Sequence, residues 1–129
     1  MNKILVEVSV GELLDKISIL EIKKNKIKNP EKLKFINDEY QVLKDQLEKK
    51  VKYDEKLEKF FQSLKEINNK LWVIEDEKRI CEKKSDFTEN FIKLSRDIHF
   101  LNDNRAKIKL EINHHTGSKI KEIKKYTTY

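Results

Sequence analysis

Apolar residues recur every three or four positions through most of the chain, the repeat that lines one face of an α-helix. Val10, Leu13, Ile17, Leu20 and Ile27 make the first stripe, and Leu14, Ile19 and Ile22 widen it beyond an ordinary amphipathic face. The pattern predicts a helix over 10–28 that touches more than one neighbour. Leu33, Ile36, Tyr40, Leu43, Leu47 and Val51 carry the spacing through a second helix over 30–51. Leu57, Phe60/Phe61, Leu64, Ile67, Leu71, Ile74 and Cys81 predict a third over 55–84. Phe87, Phe91, Leu94, Ile98, Leu101, Ile108 and Ile112 predict a fourth over 87–114.

The polar residues between these stripes read as helix ends. Ser9-Val10-Gly11-Glu12 has the form of a capping box, in which Ser9 bonds the N3 amide and Glu12 reaches back. Asn29 suits an N-cap and Pro30 the first helical position. Asp54 suits another N-cap, Asp86 and Glu89 form an Asp-x-x-Glu cap signature, and Gly117 suits a position past a C-terminus. Ahead of the first helix, Ile4, Val6, Val8 and Val10 alternate at period two. They read as an extended arm or short strand that lies across helices or pairs with the same arm of a second copy. Long segments joined by short connections predict an all-α fold. The expectation is a single domain, an antiparallel bundle of three or four long helices with a short N-terminal extended arm and a basic tail over 117–129. The arm and the wide face of the first helix point to a homodimer.

Composition narrows the class. The 129 residues are one domain's worth of chain. Having only 2 Gly and 1 Pro argues against sandwiches, barrels and Gly-rich phosphate loops. One Cys excludes an internal disulfide and a Cys-cluster zinc site. No apolar run approaches the ~20 residues of a membrane span, and no signal-peptide pattern opens the chain, so a cytoplasmic protein is expected. The net charge of +6 comes from 26 Lys against 3 Arg, while Ala occurs once, at Ala106. An AT-rich coding sequence produces that bias, so the basic balance points only weakly to nucleic acid. Half of the excess lies in the tail, where Lys119, Lys121, Lys124 and Lys125 face one acid, Glu122. The tail is expected to fold back on the bundle through Ile120, Ile123 and Tyr126.

One residue breaks the apolar pattern. The fourth seam places Arg105 where the period assigns a core position, inside the polar run Asn102-Asp103-Asn104-Arg105. An unpaired buried guanidinium is strongly destabilising, so Arg105 must meet a carboxylate or reach water. If the third and fourth helices pair antiparallel across residues 84–86, Glu75 falls opposite Arg96. Asp103 and Arg105 then fall opposite Asn68 and Lys65, where no acid waits. The first helix supplies Glu12, Asp15 and Glu21 instead, beside Lys16 and Lys23. Two readings stay open: an ion-pair network that fixes the packing of the bundle, and a polar pocket that takes an anionic small molecule through Arg105.

Other positions carry less. Trp72 reads as a core flank or an interface anchor, and Cys81 as a small buried hydrophobe. His99, His114 and His115 lack metal-ligand spacing. No phosphate-loop, zinc-protease, nucleophile-elbow or dinucleotide motif occurs, and no cofactor or metal is expected.

Val8-Ser9-Val10-Gly11-Glu12-Leu13-Leu14-Asp15, continuing through Lys16 to Lys23, resembles the N-terminal signature of a family of small bacterial proteins of unknown function. Leu71-Trp72-Val73-Ile74-Glu75-Asp76, Asn102-Asp103-Asn104-Arg105-Ala106 and Asn113 to Gly117-Ser118 match the same pattern in order, with Lys124 and Tyr126. The resemblance implies a short helical cytoplasmic protein without an established reaction or ligand. The expected function is a helical binding or interaction module with a mixed-charge site between the first, third and fourth helices. Its residues would be Glu12, Asp15, Lys16, Glu75, Arg96, Asn102, Asp103 and Arg105. A small all-helical enzyme acting on an anionic metabolite or sugar nucleotide is the alternative. Nucleic-acid binding through the tail is the third reading.

Overall fold

Side chains at the predicted ends start most of the helices. In the computed structural model, which describes residues 3–120, 122–125 and 127–128, these are α1 (Val10–Lys26), α2 (Pro30–Lys50), α3 (Glu55–Lys83) and α4 (Glu89–Thr116). Ser9 Oγ accepts the Glu12 N–H at 3.0 Å, Asn29 Oδ1 the Lys32 N–H at 3.1 Å and Asp54 Oδ1 the Leu57 N–H at 2.8 Å. The start of α4 differs from the expected Asp86–Glu89 cap. Thr88 is the N-cap and offers no side-chain bond, because its hydroxyl and its N–H both donate to Asp86 Oδ1, at 2.6 and 3.2 Å. Phe87 therefore stays outside the helix, edge-on to Phe91 with ring centroids 5.3 Å apart.

The two long helices end alike. Ser85 and Gly117 take left-handed conformations, φ 53° and 67°. The Asp86 N–H then bonds the Cys81 carbonyl at 2.8 Å, and the Ser118 N–H bonds that of Asn113 at 2.9 Å. Such turns reverse the chain within a few residues, so α3 and α4 form an antiparallel hairpin.

The widened stripe of α1 explains the rest. This helix packs against all three others, while α2 meets only α1 at backbone contact distance. Leu14 and Ile17 of α1, Leu57 and Leu64 of α3 and Ile112 of α4 are fully buried, and Leu47 brings α2 to the same core. Contact is close at Gly11, whose N–H donates to Asn113 Oδ1 at 2.8 Å. A Cβ at Gly11 would sit 2.5 Å from the Lys109 carbonyl oxygen, so only glycine lets the backbones approach this far.

Three expectations need correction. The third seam takes Asn68 inward rather than Ile67, stepping through Leu64, Asn68 and Leu71. The arm forms no strand: residues 3–8 lie outside any element, with Ile4 and Leu5 86% and 93% exposed. The tail does return to the bundle, but through polar groups. Glu122 reaches Lys109 and the Ser118 hydroxyl accepts the Val10 N–H at 3.4 Å, whereas Ile123 is 80% exposed. Lys121, Tyr126 and Tyr129 lie outside the described residues. No helix among the described residues is long and apolar enough to cross a membrane.

Candidate functional site

The apolar α1 face that meets α3 and α4 is interrupted midway by polar side chains. Asp15 and Ser18 are both buried there, one turn apart. Asn68 of α3 reaches across and donates to Asp15 Oδ1 and to Ser18 Oγ, both at 2.8 Å. From α4, Arg105 Nε comes within 3.7 Å of Asp15 Oδ1 and Lys109 Nζ within 3.8 Å of Oδ2. Lys109 donates more strongly to Glu12 and to Glu122, both at 2.8 Å. No buried side-chain polar atom among the described residues lacks a hydrogen-bond partner. That completeness makes a buried cluster of charges tolerable.

The two cations differ. The Lys109 side chain is 9% exposed and surrounded by carboxylates. Burial pushes its ammonium down, but the hydrogen bonds to Glu12 and Glu122 and the Asp15 charge outweigh burial and hold it above the usual lysine range. The Arg105 side chain is 32% exposed and makes no hydrogen bond to a described residue. Its Nε faces the buried Asp15, and its guanidinium borders two openings at once.

The first opening is a groove of about 370 Å³ between α1, α3 and α4. Ile19, Ile22 and Leu71 give it apolar walls, half-buried Trp72 lies alongside, and Asn68, Asn102 and Arg105 close its inner end. Glu75, Asp76 and Arg79 stand at its outer end, and none of the three has an ion pair or hydrogen bond to a described residue. The second opening, about 600 Å³, lies between α4 and the tail and is lined by His99, Asp103, Arg105, Lys109 and Lys124. A third, about 390 Å³, runs between α2 and α3 over Leu14 and Leu47. Of its acids, Glu21 accepts from Tyr40 and Lys65 and Glu58 from Tyr53 and Gln62, while Glu48 has no hydrogen bond or ion pair to a described residue. Among the described residues no His, Cys, Asp and Glu group is placed to hold a metal ion.

A family model matches residues 4–129, almost the whole chain. The chain belongs to DUF6165, a family of unknown function. No curated protein and no solved structure matches it. What this member of DUF6165 offers chemically must therefore be read from its own side chains.

The residues singled out in the sequence fall into three groups. Asp15, Asn102, Arg105 and Glu75 meet in or directly behind the first groove. Glu12 is drawn to Lys109, with Lys16 at 3.9 Å on its solvent side, and Asp103 faces the second opening. Arg96 stands apart: its guanidinium lies 6.0 Å over the Phe100 ring, and it does not pair with Glu75. Sequence reasoning missed Lys109 and Asn68. Asn68 was readable, since it sits four after Leu64 and three before Leu71. Lys109 was readable by the same spacing, four after Arg105 and three before Ile112, although its partners Glu12 and Glu122 come from other segments.

Proposed function

We propose that this protein is a helical binding module whose ligand is an anionic small molecule seated on Arg105. The observation that carries this reading is the guanidinium itself. Asp15 sits behind its Nε, and the rest of it borders a groove without a hydrogen bond to a described residue. A forked donor set held from behind suits a carboxylate or phosphate. Trp72, the single tryptophan, lines the same groove and reports on occupancy. Titration with inorganic phosphate, citrate and a nucleoside diphosphate should change Trp72 fluorescence and raise Tm for at least one of them. Arg105→Ala should abolish both responses while keeping the helical circular dichroism. If no anion gives an Arg105-dependent response, the reading fails.

We further propose a bacterial cytoplasmic homodimer. The free, buried Cys81 fits a reducing compartment. The exposed arm residues Ile4, Leu5 and Val6 and the exposed hairpin residues Val73 and Ile80 suit a second copy. Light scattering should give twice 15.5 kDa, and a mass of 15.5 kDa at micromolar concentration would remove the dimer.

A further inference from the structure

The ends of the Arg105 groove ask for opposite chemistry. At the inner end stands a guanidinium, which only donates hydrogen bonds, and at the outer end stand two carboxylates, which when ionised only accept. Arg105 lies level with Asn68, since both reach Asp15 Oδ1. Glu75 follows Asn68 by two turns of α3, about 10 Å along the axis at 1.5 Å per residue. Between them the groove is apolar, with Leu71, Ile22 and Trp72 along it. Arg79 shares the outer end, yet it makes no ion pair with either acid. A plain anion would satisfy Arg105 and leave the outer acids unmet. A longer dianion would place a second negative charge against them.

We infer that the groove takes a bipolar ligand, with an anionic group at Arg105, an apolar spacer over Leu71 and Trp72, and a protonated amine at Glu75 and Asp76. This rests on the reading that Arg105 seats an anion, and it adds the ligand's class.

Four probes of one length separate the two: octanoate, 8-hydroxyoctanoate, 8-aminooctanoate and octanedioate, titrated at low ionic strength against Trp72 fluorescence. The amino acid should bind about 3–5-fold more tightly than octanoate, the scale of one partly exposed charge pair, and the diacid most weakly. In the double variant Glu75→Gln/Asp76→Asn that preference should vanish. Both residues are exposed, so the variant is expected to fold. Octanoate or 8-hydroxyoctanoate binding as tightly as the amino acid would overturn the amine, as would a preference that survives the double variant. Octanoate binding that Arg105→Ala removes would still leave the anion seat standing. Absence of Arg105-dependent binding by all four probes would overturn the bipolar ligand, and the anion seat would fall with it only if phosphate, citrate and the nucleoside diphosphate also gave no Arg105-dependent response.

Discussion

The α3–α4 hairpin has two halves built by different rules. In the half nearest the chain ends, α1 lies over the pair. Leu57, Phe61, Leu64 and Ile112 are buried there, and so are Asp15, Asn68 and Lys109. Toward the turn, α1 has ended. It spans about 25 Å against about 43 Å for α3, at 1.5 Å per residue. In that half Cys81 and Leu94 are buried, while Ile80, Phe87 and Ile92 stay exposed. Two helices alone give a narrow apolar seam. A third helix creates the dry interior in which acids and bases from three segments must satisfy one another. Charge burial here follows from coverage, and the groove opens where that coverage stops.

The largest effect should come from removing the acid under the covered half. Asp15 is almost wholly buried, so Asp15→Ala leaves Asn68 short of an acceptor and Arg105 short of its carboxylate. A loss of about 3 kcal/mol is expected, the low end for a broken buried pair, since Lys109 keeps Glu12 and Glu122. Urea denaturation measures it, and amide exchange should rise in α1 while the far half of the hairpin keeps its protection. A loss below ~1 kcal/mol would show that the two halves do not differ as described.

A smaller effect of opposite sign tests the far half. Ser85 holds φ 53° at the turn, where glycine has no steric penalty, as at Gly117. Ser85→Gly should stabilise the protein by about 1 kcal/mol in thermal unfolding, the scale of the left-handed penalty for other residues. An unchanged or lowered Tm would remove strain from the account of this turn.

The smallest effect concerns the tail over the covered half. Hydrogen bonds from Lys109 and Lys124 hold the Glu122 carboxyl down at about 2, against an ordinary 4.5. Its folded value being the lower one, its contribution is complete above pH 4.5 and is lost as pH falls through about 2. The carboxylate is 41% exposed, so screening keeps this contribution small. A side-chain NMR titration should place the Glu122 midpoint well below the ordinary value, and in Lys109→Met it should return toward 4.5.

The helical architecture was legible because the apolar spacing repeats over long stretches and Ser9, Asn29 and Asp54 cap where their chemistry says they should. The meeting of Arg105 and Asp15 was legible for a related reason. The seam forces Arg105 toward the interior, and the first helix holds the nearest acids. The rest depends on tertiary closure. Spacing marks Lys109 as an inward position, but only tertiary closure brings Glu12 and Glu122 around it. Thr88 takes over the cap because Asp86 turns back on the turn it belongs to. Glu75 and Arg96 share a level on facing helices, yet their side chains diverge.

Gly11 and Asn113 touch across a separation of 102 positions. Of these four helices α1 is made before α4, so one of the three surfaces that α1 packs against comes after it in synthesis. Until α4 arrives, α1 can fold against α2 and α3, but the Ile112 side of the shared core and the Gly11 contact stay open. Closure of this four-helix core thus waits for α4, and a nascent chain stalled before α4 would leave that face of α1 open to chaperones.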